Sequence, residues 1–250
     1  MVISDSTINL MKEFTQEIGV PGSENKISSL LKKHYENYCD EIIYDNLGSI
    51  FAIKKSKTKN AKKVMICAHM DEVGFLVNKV EDNGLLKLIS LGNISNQGLL
   101  GKRVDILTSS NKTIKGVVVA KNNKKNDLKL DDILIDIGAS SKEEVINSGI
   151  KLGNSVVLSG EFEVLLEKRA VSKAWDNRYG CILGVEILRY LKDYEFDFDL
   201  YIGATVQNEV GLRGSITSTN LVKPDMSIVL DCLASDDIES NKSNTGKLGE

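Results

Sequence analysis

The chain has 250 residues, enough for one large domain or two smaller ones. Its 42% hydrophobic and 27% charged content is that of an ordinary folded protein, and a net charge of −3 offers no electrostatic footprint for nucleic acid. No apolar run reaches the length of a membrane span, and Met1–Asp5 lacks the basic region and apolar core of a signal peptide. Neither a nucleic-acid nor a membrane partner is expected, and the cytoplasm is the default location.

Ile8, Met11, Phe14 and Ile18 recur at helical spacing, which predicts a first amphipathic helix over residues 4–19. Val20-Pro21-Gly22 breaks it, and Ser23 is placed to cap a second helix. There Ile27, Leu30, Leu31, His34, Tyr35 and Tyr38 share one face, which makes His34 a packing histidine and not a ligand. Glu41 to Ile53 reads as two strands around Asp45–Gly48, and Lys54 to Lys63 as a solvated basic loop.

Val64–Ala68 is uncharged and rich in β-branched and sulfur side chains, the pattern of a strand buried on both faces. It runs into His69, with Asp71 two positions on. If the strand continues through Asp71, alternation puts both side chains on one side. A metal-binding imidazole and its orienting carboxylate are commonly arranged so. A strand ending in an ordinary polar turn fits this stretch equally well.

After Gly74 come short β-type runs: Phe75–Val80, Leu85–Leu91, Arg103–Thr108, Thr113–Ala120 and Ile133–Ile137, with a Lys/Asn loop at Lys121–Lys125. A short helix over 142–149 and a strand at Ser155–Leu158 follow. Such spacing predicts a small all-β barrel or sandwich. Residues 74–162 therefore read as a β-domain inserted into an α/β domain made of 1–73 and 163–250.

Trp175-Asp176-Asn177-Arg178 precedes a helix whose Ile182, Leu183, Val185, Ile187, Leu188 and Leu191 leave little polar face, so it should pack on both sides. Leu200–Val206 is a second uncharged strand, ending in Gln207-Asn208-Glu209, and Met226–Leu230 a third, ending in Asp231. Cys39, Cys67, Cys181 and Cys232 lie far apart, three of them in apolar surroundings, and read as reduced core thiols, not as a disulfide frame or a Cys-based zinc site.

Three buried strands thus end in polar clusters, and Asp176 stands before a buried helix. Open α/β sheets bind ligands outside the carboxyl ends of their strands. One His with three carboxylates gathered there suits a hard or borderline divalent metal. Any one of these acids alone is explicable as a strand-end or capping residue; all of them together are harder to explain so.

Gly19–Glu24, Ala68–Phe75, Asp136–Glu144, Trp175–Arg178, Val206–Gly214 and Pro224–Asp231 together resemble motifs of the glutamyl and deblocking aminopeptidases. These are also called tetrahedral aminopeptidases, and some members carry the labels cellulase or endoglucanase. The resemblance covers the whole chain in order. It implies an α/β, mixed-sheet zinc-exopeptidase-like fold with an inserted β-domain used for assembly into tetrahedral dodecamers. It also implies two divalent ions, zinc or cobalt, and peptide substrates cleaved at the N-terminal residue. By motif, His69 and Asp231 each bind one metal, Asp176 bridges both ions, Glu209 binds the second, and Asp71 holds the His69 ring. His69, Asp176 and Asp231 form a full set of three protein ligands for one ion. One well-formed site is therefore expected.

Two departures from the family pattern matter. Asn208 stands where the family has its general-base Glu, and an amide cannot take a proton from the attacking water at neutral pH. The family also takes its last metal ligand, a His, from beyond the Lys247-Leu248-Gly249 region, whereas this sequence has only His34 and His69. The resemblance therefore leads to an expectation of either an N-terminal portion of such an enzyme or a degenerate member, with impaired peptidase activity. The rival is a non-catalytic homologue serving assembly or peptide binding. Glycoside hydrolysis is a weaker alternative, resting on the family labels alone.

Overall fold

The computed structural model describes residues 4–121 and 129–233. Most of the Lys121–Lys125 loop, and Lys247–Gly249, lie outside the described residues. Helix α1 (Asp5–Gln16) starts where the Ser4 hydroxyl accepts the Thr7 N–H at 3.2 Å. It ends before Ile18, because Glu17 is extended. Ile18 fits the helical period but packs with Val20 and Val157 instead. Helix α2 (Asn25–Tyr35) takes Glu24, not Ser23, as its N-cap residue. His34 is a packing histidine, as expected: its Nε2 lies 2.8 Å from Glu13, and its ring is tilted against Phe14.

Strands β1 (Glu41–Tyr44), β2 (Ile50–Lys54) and β3 (Lys62–His69) follow. The Asp45 carboxylate holds the β1–β2 turn by accepting the N–H groups of Leu47, Gly48 and Ser49. Strands β4 (Gly74–Val80), β5 (Leu86–Leu91), β6 (Arg103–Leu107), β7 (Thr113–Ala120), β8 (Ile133–Asp136) and β9 (Ser155–Leu158) close a barrel in the order β4-β5-β8-β7-β6-β9. Helix α3 (Lys142–Asn147) sits between β8 and β9, and its Val145 packs into the barrel core. Then come the two-stranded β10 (Glu163–Leu165) and β11 (Arg169–Val171), helix α4 (Trp175–Tyr190), β12 (Phe198–Thr205), helix α5 (Arg213–Val222) and β13 (Met226–Val229).

The five-stranded sheet has the order β1-β2-β12-β3-β13. β1, β2 and β12 pair antiparallel, whereas β12 and β13 run parallel to β3. The fold is therefore a mixed α/β one. Alternation sends Ile50, Ala52, Ala68, Leu200, Ile202 and Ala204 to one face, into a core shared with α1, α2 and α4. Phe51, Ile53, Met65, Cys67 and Tyr201 line the other face with Val222 of α5. Gly203 is required where β12 crosses β2, because a Cβ there would stand 1.9 Å from the Ile50 carbonyl oxygen.

Two expectations change. β3 stops at His69 and does not run through Asp71; only the Met70 N–H still bonds to Thr205, at 2.8 Å. β13 is an edge strand with all four residues exposed, not a buried one. An uncharged run reports a face that a neighbour can cover, and none of the described elements covers this one. All four cysteines are free thiols, but only Cys67 and Cys181 are buried in the core; Cys39 and Cys232 are half-buried.

Candidate metal centre

Parallel pairing brings the carboxyl ends of β12, β3 and β13 together. Thr205 lies opposite His69 in the ladder, and Val229 opposite Cys67. The chain leaving β13 then presents Asp231 beside His69, and the chain leaving β12 presents Asn208 and Glu209. Asp176 arrives from the other direction. Although α4 is continuous in its hydrogen bonding from Trp175, Asp176 and Asn177 have non-helical backbone angles and are joined by a cis peptide. The regular helix starts after them, capped by Asn177, whose Oδ1 accepts the Gly180 N–H at 3.1 Å. The Asn177 amide also donates to the Leu230 carbonyl at 2.8 Å, which ties the start of α4 to the segment carrying Asp231.

His69, Asp176 and Asp231 each turn one ligand atom into this corner, all within 4.8 Å of one another. His69 is buried, and its Nε2 lies 3.1 Å from Asp176 Oδ1 and 3.8 Å from Asp231 Oδ1. Its Nδ1 lies 3.1 Å from the Asp71 carbonyl oxygen and 3.6 Å from the Asp71 carboxylate. That arrangement assigns the ring N–H to Nδ1 and leaves Nε2 facing two carboxylates. With Nε2 unprotonated all three are acceptors, so the corner attracts a cation, either a proton on Nε2 or a metal ion in its place. The electrostatics agree. Burial alone would lower the pKa of His69, but its bonds to Asp176 and Asp71 outweigh this and raise it to about 10. An imidazole nitrogen with two carboxylate oxygens is a donor set that fits a borderline divalent ion.

The remaining expected residues surround this trio. Asp71 is fully buried, and its two oxygens accept the N–H groups of Asn208 (2.9 Å) and Glu209 (2.8 Å). Burial raises its pKa, but the His69 ring and these two N–H groups hold it below the usual range. Asn208 lines a small cavity of about 150 Å³ together with His69, Asn177 and Asp231. Glu209 is not part of the converging trio. It lies beside the barrel rim at Gly92, where an added methyl would stand 3.3 Å from its Oε2. Burial raises its pKa, His69 opposes this, and Asp176, Asp71 and Asp231 raise it further, so it shares the electrostatic field of the corner.

Sequence reasoning assigns no role to several residues that hold this site. Arg178 is fully buried and donates to the carbonyls of Met70 (2.7 Å), Phe14 (2.7 Å), Glu17 (2.8 Å) and Gly19 (3.3 Å). Buried Glu72 pairs with Lys173 at 2.7 Å, approaches Arg178 at 3.5 Å and accepts the Gly19 N–H. These contacts, and not a strand ladder, carry the backbone from His69 to Glu72. The signals that point to them are weak: a charged residue in the first turn of α4, and another just after Asp71.

The sequence matches the M42 glutamyl aminopeptidase family over residues 48–250. The chain belongs to this metallopeptidase family. The resemblance read from its motifs is thereby borne out. It is 34% identical over 253 residues to the glutamyl aminopeptidase of Lactococcus lactis, covering 96% of this chain and 70% of that relative. The TET aminopeptidase structure from a marine sediment archaeon of the Thaumarchaeota superposes with a TM-score of 0.92 at 34% identity. That match covers 98% of this chain and 71% of the other. The TET1 peptidase of Pyrococcus horikoshii, which can assemble into a tetrahedron or a large octahedral shell, gives a TM-score of 0.81 at 26% identity, covering 94% and 73%. This M42 chain spans about two thirds of the length of its curated relatives. No helix among the described residues is long and apolar enough to cross a membrane.

Proposed function

We propose that this M42 chain is of the metal-dependent aminopeptidase type, acting on the N-terminal residue of peptides, with zinc or cobalt held by His69, Asp176 and Asp231. The observation that carries the reading is the convergence of Asp176 and Asp231 on His69 Nε2, with Nδ1 engaged by Asp71. Glu209 is assigned to a second, weaker ion shared with Asp176, supported by the field it shares with the trio. A divalent ion bound there supplies Lewis acidity, activating water and polarising the scissile carbonyl. The protein's own part is orientation. Asp71 holds the His69 ring and, through two N–H groups, the turn that carries residues 208 and 209.

Asn208 favours a second reading, a non-catalytic homologue that binds peptides or serves assembly. Its side chain can hydrogen-bond a water molecule but cannot accept its proton. Glycoside hydrolysis needs two carboxyls flanking a sugar, and here Asp176 and Asp231 face one imidazole instead.

Metal analysis after dialysis should find about one tightly held ion per chain, and His69→Ala should weaken its retention by at least about 100-fold. Two equally tight ions, no ion, or unchanged retention in His69→Ala would overturn the ligand assignment. Chelator-sensitive release of nitroaniline from aminoacyl substrates separates the enzyme reading from the binding one.

We assign residues 1–73 and 163–250 to the catalytic domain and 74–162 to an assembly domain. The closed barrel between β3 and β10 supports this, as does the shell-forming Pyrococcus horikoshii relative. Deleting 75–161 and bridging the gap with a short Gly/Ser linker should lower the oligomeric state seen by light scattering. An unchanged state would place the contacts elsewhere.

A further inference from the structure

The α1–α2 connection contributes a buried carboxylate that the metal centre does not use. Glu24 occupies the N-cap position of α2, where an acidic side chain ordinarily accepts an N–H from its own first turn. It makes no such bond. Its Oε1 instead accepts the Gln207 N–H at 3.0 Å. The next two N–H groups, of Asn208 and Glu209, go to Asp71. Three consecutive peptide donors are thus taken by two buried carboxylates from separate elements.

A carboxylate is costly to bury, and that cost is offset only by the hydrogen bonds it accepts. The turn itself does not favour its own conformation. Gln207 is left-handed (φ 54°), a region that a residue with a Cβ adopts only at a cost in strain. Within the turn, the Asn208 carbonyl accepts the N–H groups of Gly211 and Leu212. Those bonds close the far side of the turn but leave the donor side to Glu24 and Asp71.

We propose that Glu24 is a positioning residue of the metal centre: it clamps the backbone at residue 207 and thereby aims Glu209 toward Asp176. The aim at Glu209 rests on the metal-centre reading; the clamp does not. Glu24 touches neither the trio nor any reacting atom; its carboxylate also takes the N–H groups of Gly22 and of its own residue, so it ties the α1–α2 connection to the turn and reaches the centre only through that turn. Its oxygen must accept a hydrogen bond but need not be charged, and this separates Glu24→Gln from Glu24→Ala.

The test uses the whole chain with Glu24→Ala, Glu24→Gln and Glu209→Gln. Hydrogen exchange of the 207–209 amides should quicken by about tenfold or more in Glu24→Ala, the loss of one charge-assisted bond. It should stay near the unmodified rate in Glu24→Gln, with protection of α1, α2 and the barrel unaltered in both. In a cobalt(II) titration, the binding event that Glu209→Gln removes should weaken by about 10–100-fold in Glu24→Ala. The His69-dependent event should hold, and Glu24→Gln should restore the first. Unchanged exchange at 207–209 overturns the clamp. Equal weakening of both cobalt events, or a general loss of protection, reduces Glu24 to a structural residue and overturns the proposal. If the unmodified chain shows no Glu209-dependent event, the ligand assignment of Glu209 falls, and the exchange measurement still decides the clamp.

Discussion

Arg178→Met should cost this protein about 3–5 kcal/mol, because the buried carbonyls of Phe14 and Met70 each lose a charged donor worth about 1.5–3 kcal/mol. For a domain whose total stability is about 5–15 kcal/mol, that is a fifth or more. The expectation follows from what Arg178 holds. The fully buried guanidinium donates to four backbone carbonyls: those of Phe14 and Met70, that of Glu17, which also accepts Lys173 Nζ at 3.3 Å, and that of Gly19, which also accepts the Glu72 N–H at 2.9 Å. Methionine keeps the apolar stem, so the change isolates the lost donors from any lost volume. Glu72 keeps Lys173 at 2.7 Å in the variant and is not stranded. Arg178→Lys should recover little, because an ammonium cannot serve four carbonyls spread around a planar fork. Equilibrium denaturation in urea measures the difference. A cost below about 1 kcal/mol would mean that water reaches these carbonyls and that the clamp is marginal.

The same network shows where sequence reading stops. His69, Asn208, Glu209 and Asp231 are legible because each follows an uncharged run that alternation and length identify as a strand. Parallel pairing then gathers strand ends without further information. The barrel strands are legible for the same reason, as short alternating runs with turn signals between them. Arg178, Glu72 and Glu24 are not, because their partners are remote in sequence: Arg178 lies 106 positions from Glu72, and Gln207 lies 183 from Glu24. A local pattern cannot tell a buried arginine that satisfies distant carbonyls from one on a solvated face. The strand end at His69 is hidden for a related reason. Met70 and Glu72 are held by side chains and backbone from other elements, so period-two alternation no longer governs this stretch.

Asn208 sets the second large effect, on turnover. With leucyl- or glutamyl-nitroanilide, the unmodified chain should be at least about 100-fold slower than the glutamyl aminopeptidase of Lactococcus lactis, since general-base transfer typically contributes about 10²–10⁴-fold. Asn208→Glu should place a carboxylate in the small cavity that the amide now lines with His69 and Asp231. The backbone would follow without change, because the Asn208 N–H and carbonyl are already fixed by Asp71, Gly211 and Leu212. The variant should nevertheless gain less than about tenfold, because proton transfer and cation binding act as a unit and do not add. In the proposed assignment the trio holds one ion, and Glu209 stands outside that trio. Two measurements distinguish the causes. Metal analysis of Asn208→Glu should still find about one tight ion, and raising free cobalt(II) should increase its turnover but not that of the unmodified chain. If the unmodified chain, freed of contaminating peptidases, already shows chelator-sensitive turnover close to that of the relative, another residue carries the proton and the role given to position 208 is wrong.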